Sequence, residues 1–321
     1  MIKDLVVYSL LIVASAVMAY RASLPAGSSD SQVVSWVEIV PDQVTGIELV
    51  GPKLSLKATR KNATQFFIEF ESSAEEGKEP EIDRFLANAE FNEFLQSLRP
   101  LEALRVIGDL KESQAGEFGF DSSASLLTIR AGEKTHIFKL GSKQFSSTNR
   151  FVYDEERKKV LLINGRHFEK LEKASSRLFE RELVDMKFDD IKKATVVAGE
   201  RTRVLDHTKK GDDGVPGWSS DDANAKPKTV FANWLSKIEK LRIVKFVPED
   251  QFSQIETLST ILTIKFDTGK QSDEVVFRKE SSSDGKLIYY AKSNFLGGYV
   301  KLLSGRMEAI EKDISSIFEE Q

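Results

Sequence analysis

The residues able to do acid–base, nucleophilic or metal chemistry are limited in kind and poorly spaced for it. The chain has no cysteine, which excludes disulfides, thiolate metal sites, iron–sulfur clusters and thiol nucleophiles. Its three histidines are His136, His167 and His207. His136 alternates with apolar Ile137 and Phe138 as in a strand, His167 starts a helical pattern, and His207 precedes a Lys-Lys-Gly loop. None sits four residues from another, and none belongs to an H-E-x-x-H pattern, so they read as ordinary surface or half-buried histidines. The pairs Asp212-Asp213 and Asp221-Asp222 flank Gly214 and Trp218. A calcium loop needs alternating carboxylates closed by a glutamate at its twelfth position. Here the acids are adjacent and Pro216 interrupts them, so a solvated turn is expected. Fifty acidic residues contain no spacing that selects a glycosidase pair. There is no G-x-S-x-G elbow, no phosphate-binding P-loop and no G-x-G-x-x-G. Asn62-Ala63-Thr64 matches a glycosylation sequon, a three-residue pattern with little weight of its own. The expectation is a chain without catalytic residues, metal or cofactor.

The elements that would position any site come from patterning. A chain of 321 residues and 36.0 kDa is comfortable as two domains. With 46 basic against 50 acidic residues the net charge is −4, and a pI near 5.7 argues against a nucleic-acid binder. Hydrophobic residues make up 40% of the chain, enough to build real cores. Its 21 phenylalanines fall mostly on periodic faces, as in Phe66/Phe67/Phe70 and Phe85/Phe91/Phe94, and are expected in the core. A minority exposed together would mark a docking surface. Trp36 and Trp218 lie near loops and are the first candidates for partner contact.

Residues 5–20 carry no charge, with Lys3 and Asp4 before them and Arg21 after. Sixteen helical residues span roughly 24 Å against a hydrocarbon core of about 30 Å, and snorkelling by Lys3 and Arg21 could close the gap. The expectation is a single membrane anchor over residues 1–22, with Leu5, Val6, Leu10, Leu11, Ile12, Val13 and Val17 facing lipid. A cleaved signal peptide, cut after Ala14-Ser15-Ala16 or Val17-Met18-Ala19, and a buried core helix are the alternatives. Residues 23–35, with Pro25, Gly27 and a serine-rich run, read as a flexible tether.

The rest repeats itself at a period near 140. Asp42-Gln43-Val44 and Asp189-Asp190-Ile191 open the two units with the same placement of apolar residues. Phe91, Phe94, Leu95 and Leu98 mark one face of a helix, and Phe231, Trp234, Leu235 and Ile238 do the same 140 residues later. Leu126-Leu127-Thr128-Ile129-Arg130 matches Ile261-Leu262-Thr263-Ile264-Lys265. Val160-Leu161-Leu162-Ile163-Asn164-Gly165-Arg166 matches Val300-Lys301-Leu302-Leu303-Ser304-Gly305-Arg306. Each Gly-Arg leads into one final helix. Strands at 126–131, 136–141 and 151–154 are joined by short polar loops and read as hairpins. Residues 72–81, 209–218 and 281–285 read as loops, the last a hairpin tip. Gly297-Gly298 reads as a place of close backbone approach. The predicted fold class is α+β, with two tandem duplicated units of antiparallel sheet plus helices over residues 36–182 and 183–321.

Phe118-Gly119-Phe120 before a strand, Leu140-Gly141 at a strand end, Phe151-Val152-Tyr153, Leu178-Phe179-Glu180-Arg181-Glu182-Leu183 across the unit boundary, and Gly217-Trp218 before the second helix together resemble the bacterial "domain of unknown function 4340" family. The resemblance runs over residues 40–318. Where the family usually has a tryptophan before its first helix, this chain has Phe66-Phe67. The family consists of single-pass envelope proteins often encoded beside gliding-motility-type ABC transporter components, and no catalytic residue carries over from it. The resemblance therefore implies a non-catalytic accessory or scaffold subunit of an ABC-transporter-like membrane complex. It would be anchored in the bacterial inner membrane with its bulk in the periplasm. Its partners would be the lipid bilayer and a membrane protein complex, with no nucleic acid. The rival expectation is an envelope module binding a glycan, peptide or lipid at the seam between the two units. A third is a hydrolase, which would require two converging carboxylates with perturbed pKa values.

Overall fold

The computed structural model describes residues 33–72, 82–208, 217–220 and 227–319. The first lobe is a nine-stranded antiparallel sheet. It is built from β2 (Val44–Gly51), β3 (Leu54–Arg60), β4 (Phe66–Ser72), β5 (Ile82–Leu86), β7 (Arg105–Asp109), β8 (Ser125–Ala131), β9 (Lys134–Lys143), β10 (Asn149–Asp154) and β11 (Lys159–Asn164). A short ribbon pairs β1 (Val34–Val37) with β6 (Leu101–Ala103). The helices of this lobe are α1 (Ala89–Gln96), α2 (Arg166–Glu172) and α3 (Ala174–Arg177). The second lobe is an eight-stranded sheet. Its strands are β12 (Lys193–Ala198), β13 (Arg201–Thr208), β14 (Gly217–Ser220), β15 (Ile243–Phe246), β16 (Thr260–Asp267), β17 (Ser272–Ser281), β18 (Leu287–Ser293) and β19 (Tyr299–Leu302). Its helices are α4 (Thr229–Glu239), α5 (Phe252–Glu256), α6 (Ser304–Lys312) and α7 (Ile314–Phe318). The α+β class is as expected.

The strands follow from alternation. In β8, Leu127 and Ile129 are buried while Leu126 and Arg130 face out, and β16 repeats this with Leu262, Ile264 and Phe266 inside. The order β4-β3-β2-β8-β9-β10-β11-β7 in the first sheet corresponds strand for strand to β14-β13-β12-β16-β17-β18-β19-β15 in the second, and the first sheet adds β5 at its edge. The hairpins expected at β8–β9, β9–β10 and β17–β18 are present. One helix packs on each sheet with its apolar face inward, Phe91, Phe94 and Leu95 from α1 and Phe231, Trp234, Leu235 and Ile238 from α4. Asn88 caps α1 by accepting the Glu90 amide, a typical N-cap contact.

Each unit ends in two short helices where the sequence pattern suggests one. The breaks fall at Lys173 and Asp313, whose backbones leave the helical region. The change of axis lets Phe168 and Leu171 in one turn, and Leu178 beyond the next, all reach the core. One continuous apolar core runs through both lobes.

The candidate anchor residues Leu5, Val6, Leu10, Leu11, Ile12, Val13 and Val17 lie outside the described residues, as do Asp212-Asp213, Asp221-Asp222 and nearly all of the loops at 72–81 and 209–218. Among the described residues no helix is long and apolar enough to cross a membrane.

Candidate functional site at the seam of the two sheets

The chain leaves α3 at Leu178 and runs extended between the two sheets. On one side it pairs with the end of β5. The Asn88 amide donates to the Leu178 carbonyl and the Glu180 amide to the Leu86 carbonyl, both at 2.9 Å, and Phe179 bridges Ala87. On the other side the Ile243 amide at the start of β15 donates to the Arg181 carbonyl at 3.2 Å. Residues 178–181 thus stitch the edge of one sheet to the edge of the other.

Rings reinforce the stitch. Phe179 contacts Phe85 at 5.1 Å and Phe246 at 5.6 Å, and Phe246 meets Phe67 edge-on at 6.3 Å. Such pairs contribute about 0.5–1.5 kcal/mol each beyond their buried area. Phe67 can take part because it points away from Phe66 and Phe70, onto the face of β4 that meets the second lobe.

Polar contacts come from the loop between β18 and β19. Lys61 donates through Nζ to the Leu296 carbonyl at 3.0 Å, and Gln65 through Nε2 to the Phe295 carbonyl at 3.1 Å. Asp273 holds that loop in place by accepting the amides of Glu274, Asn294 and Phe295, and the Ser293 hydroxyl donates to the Leu183 carbonyl at 2.6 Å. Gly297 has φ +66, and a Cβ there would lie 2.3 Å from Lys61 Nζ. The sequence reads this glycine pair as a place of close backbone approach, whereas the atoms that come near are side-chain ones, Lys61 Nζ at Gly297 and the Phe252 ring at Gly298.

Together these elements enclose an open cavity of about 390 Å³ ringed by Phe67, Phe246, Phe252 and Tyr299, with Lys57 and Glu249 among its polar lining. Its chemistry is that of a receptor for an apolar or aromatic group with a polar end. Arg60 also lines it, but its guanidinium is taken up by the carbonyls of Val44, Pro41 and Ala63.

Burial pushes the carboxyls of Glu180 and Asp273 above their ordinary range. Each is engaged by backbone amides, those of Arg181 and Glu182 for Glu180. These two hold the seam loops in shape. Among the described residues no cluster of three or more His, Asp or Glu side chains is placed to hold a metal ion.

The other residues singled out in the sequence lie elsewhere. Trp36, half-buried, donates through Nε1 to Asp154 at 2.7 Å and lies under the Arg157 guanidinium. Trp218 is only 7% exposed and stacks on His207 at 4.7 Å, so it offers less surface than its place beside a loop suggests. His207 itself lies within β13 and touches the Ile191 carbonyl through Nδ1. His136 is buried in β9, and burial lowers its pKa. Sequence reasoning missed Phe145, 95% exposed at the tip of the β9–β10 turn. The available signal was a lone aromatic between Gln144 and Ser146-Ser147-Thr148, outside any apolar period.

No curated protein matches the chain, and no solved structure does either. Residues 109–260 match the family model described as "Domain of unknown function (DUF4340)", the family that the sequence resembles; the matched stretch is shorter than residues 40–318 and crosses the seam, from the last residue of β7 to the first of β16.

Proposed function

We propose that the chain is a non-catalytic accessory subunit of an envelope membrane complex of ABC-transporter type. Residues 5–20 tether it to the bacterial inner membrane, and two lobes that arose by tandem duplication stand in the periplasm as one presenting body. The observation that carries this reading is the seam, where a shared apolar core and the Phe85–Phe179–Phe246–Phe67 chain favour a single block over two hinged domains. Tethering confines such a block to a thin layer and raises its effective concentration at a membrane neighbour, so that weak contacts suffice.

The test is gentle detergent extraction of the full-length chain and identification of what copurifies. A chain lacking residues 5–20 is expected to fold, to leave the membrane on a carbonate wash, and to lose its partners. Recovery of the same partners by the truncated chain would overturn the reading.

The aromatic ring around the seam cavity favours a second reading, in which the site holds a short apolar peptide segment of a partner. Saturable binding of an anilinonaphthalene sulfonate probe, lost in Phe252→Ala, is its expected signature. Unchanged probe binding in that variant would dismiss it.

A further inference from the structure

The walls of the seam cavity are unlike in charge. The first lobe supplies the face of β3 and β4 on which Lys57 stands opposite Glu69 and Thr59 opposite Phe67. Lys57 also stands opposite Glu48 on β2. Both acids are already engaged, Glu48 by Arg130 at 3.0 Å and Glu69 by Arg84 at 3.1 Å. The row Arg130, Glu48, Lys57, Glu69, Arg84 alternates in sign from β8 to β5 and holds one cation in excess. Arg60 and Lys61 add positive charge to the same wall. The second lobe answers with one acid, Glu249, which is exposed and has no ion pair among the described residues.

Two donors in the lining have capacity to spare. Lys61 Nζ carries three N–H groups, and the acceptor it reaches is the Leu296 carbonyl at 3.0 Å. Gly298 is buried, yet its amide donates to no group among the described residues. The neighbouring Gly297 amide, by contrast, donates to the Ser293 carbonyl at 3.0 Å. A buried backbone amide without an acceptor is rare. Lys61 Nζ lies against Gly297 and the Phe252 ring against Gly298. The ammonium and the free amide are therefore neighbours, and they border directly on the aromatic rings.

We propose that the seam cavity captures the carboxyl terminus of a partner chain, with an apolar last side chain among Phe67, Phe246 and Phe252 and the terminal carboxylate on Lys61 Nζ and the Gly298 amide. The inference rests on the peptide-binding reading of the cavity and names the end of the peptide that enters. An internal segment brings carbonyl acceptors but no charge to meet the cationic wall. A chain end brings both, and capture of a terminal carboxylate by free backbone amides is a recurring mode of peptide recognition. Glu249 opposes the carboxylate and sets a limit on its affinity.

The probe is acetyl-Ala-Ala-(para-fluorophenylalanine) with a free carboxylate, set against the same peptide as its terminal amide. Fluorine NMR follows the binding of each to the full-length chain in detergent. The free acid is expected to bind roughly tenfold tighter than the amide. Lys61→Met should erase that difference, and Phe252→Ala should abolish the binding of both peptides. Lys57→Met, at an exposed position, should weaken the acid and leave the amide unchanged. Glu249→Gln should tighten the acid about twofold and leave the amide unchanged, a gain that a loss of folding cannot produce. Equal affinity for acid and amide overturns the chain-end inference and leaves the peptide reading standing, whereas no binding of either overturns both. Weaker binding of the acid to Glu249→Gln overturns the proposal, as does displacement of the acid by octanoate at a lower concentration than by unlabelled peptide, which would assign the cavity to a lipid.

Discussion

The two lobes share a strand order and differ in how they cover the outer face of their sheets. In the first, the crossover from β7 to β8 folds back as a loop whose Phe118 and Phe120 cap Val160, Phe151 and Tyr153. The loop is tied down by the Ser142 amide donating to the Phe118 carbonyl at 2.8 Å, with Gly119 and Gly141 allowing the approach. In the second lobe the corresponding crossover forms α5, whose Phe252 and Ile255 pack with Tyr290, Tyr299 and Val247. Only this second cap reaches the seam, because Phe252 also lines the cavity there. Equivalent sheets therefore leave the making of a site to the segment that joins their edge strands.

The largest effect expected from breaking this pairing of lobes is at the joint. Phe179→Ala removes the ring that touches both Phe85 and Phe246 and should cost about 3–5 kcal/mol. The same change at the corresponding residue, Phe318→Ala, removes a half-buried ring and should cost less than about 1.5 kcal/mol. Urea unfolding followed by tryptophan fluorescence reads both. Phe179→Ala is also expected to split one transition into two as the lobes uncouple. Equal losses at the two positions would show that the seam does not weld them.

A pair of buried aspartates distinguishes the lobes by the sign of their pH dependence. In the first lobe burial pushes the Asp154 carboxyl up, but hydrogen bonds from the Arg157 and Glu156 amides, Trp36 and the Arg157 guanidinium more than offset it, so it lies below the ordinary range. A depressed folded pKa contributes stability above the unfolded value, and that stability is lost as pH falls through the folded one. Asp154→Asn turns an amide NH₂ toward Trp36 Nε1 and the Arg157 guanidinium, two donors. It should cost about 2 kcal/mol at neutral pH, a gap that closes on acidification. Asp273 is the opposite case. Burial holds its carboxyl above the ordinary range despite three backbone amide donors and the Asn294 side chain, so its contribution is complete below the unfolded pKa and is lost as pH rises through the folded one. Asp273→Asn keeps the acceptor for the Glu274 and Asn294 amides and gives up the 3.3 Å contact to Phe295. It should change stability by less than about 1 kcal/mol at neutral pH, and become less favourable relative to the native chain as pH falls. Denaturant midpoints between about pH 2 and pH 8 for the two variants give the test, and parallel pH slopes would contradict it.

Much of this architecture was legible because it is periodic. The spacing of Phe91, Phe94, Leu95 and Leu98 places α1, its echo 140 residues later places α4, and alternation places the hairpins. Gly297-Gly298 reads as a close backbone approach, but side chains, Lys61 and Phe252, are what come near it. The seam was not. Alternation in β4 separates Phe67 from Phe66 and Phe70, but it cannot say that another lobe covers the second face. Nor does Leu178-Phe179-Glu180-Arg181 carry any period that marks it as a stitch, since its partners, Ala87 and Ile243, lie far away in the chain. The burial of Trp218 was not legible either, for a similar reason. Its neighbours in sequence are polar, and its burial depends on a cross-strand stack with His207.

The smallest effect on stability, and the most selective on function, is expected at the hairpin tips. The β17–β18 turn of the second lobe is polar, Ser282-Ser283-Asp284-Gly285, and carries nothing a partner would bury. Its counterpart between β9 and β10 carries Phe145, almost wholly in solvent. That turn is fixed by its own bonds. The Gln144 amide donates to the Asn149 carbonyl at 2.8 Å, the Asn149 amide to the Ser147 hydroxyl, and the Asn149 side chain to Gln144 Oε1. A ring held out on a fixed loop has little entropy left to lose on docking, and none of these bonds involves it. Phe145→Ser should therefore move the unfolding midpoint by less than about 0.5 kcal/mol while lowering recovery of copurifying proteins from detergent extracts. Ser283→Phe, which gives the second lobe a matching prong, should not restore it, because a docking surface depends on what surrounds the ring as well as on the ring. Full recovery with Phe145→Ser would remove this tip from the interface and leave the seam as the surface to examine.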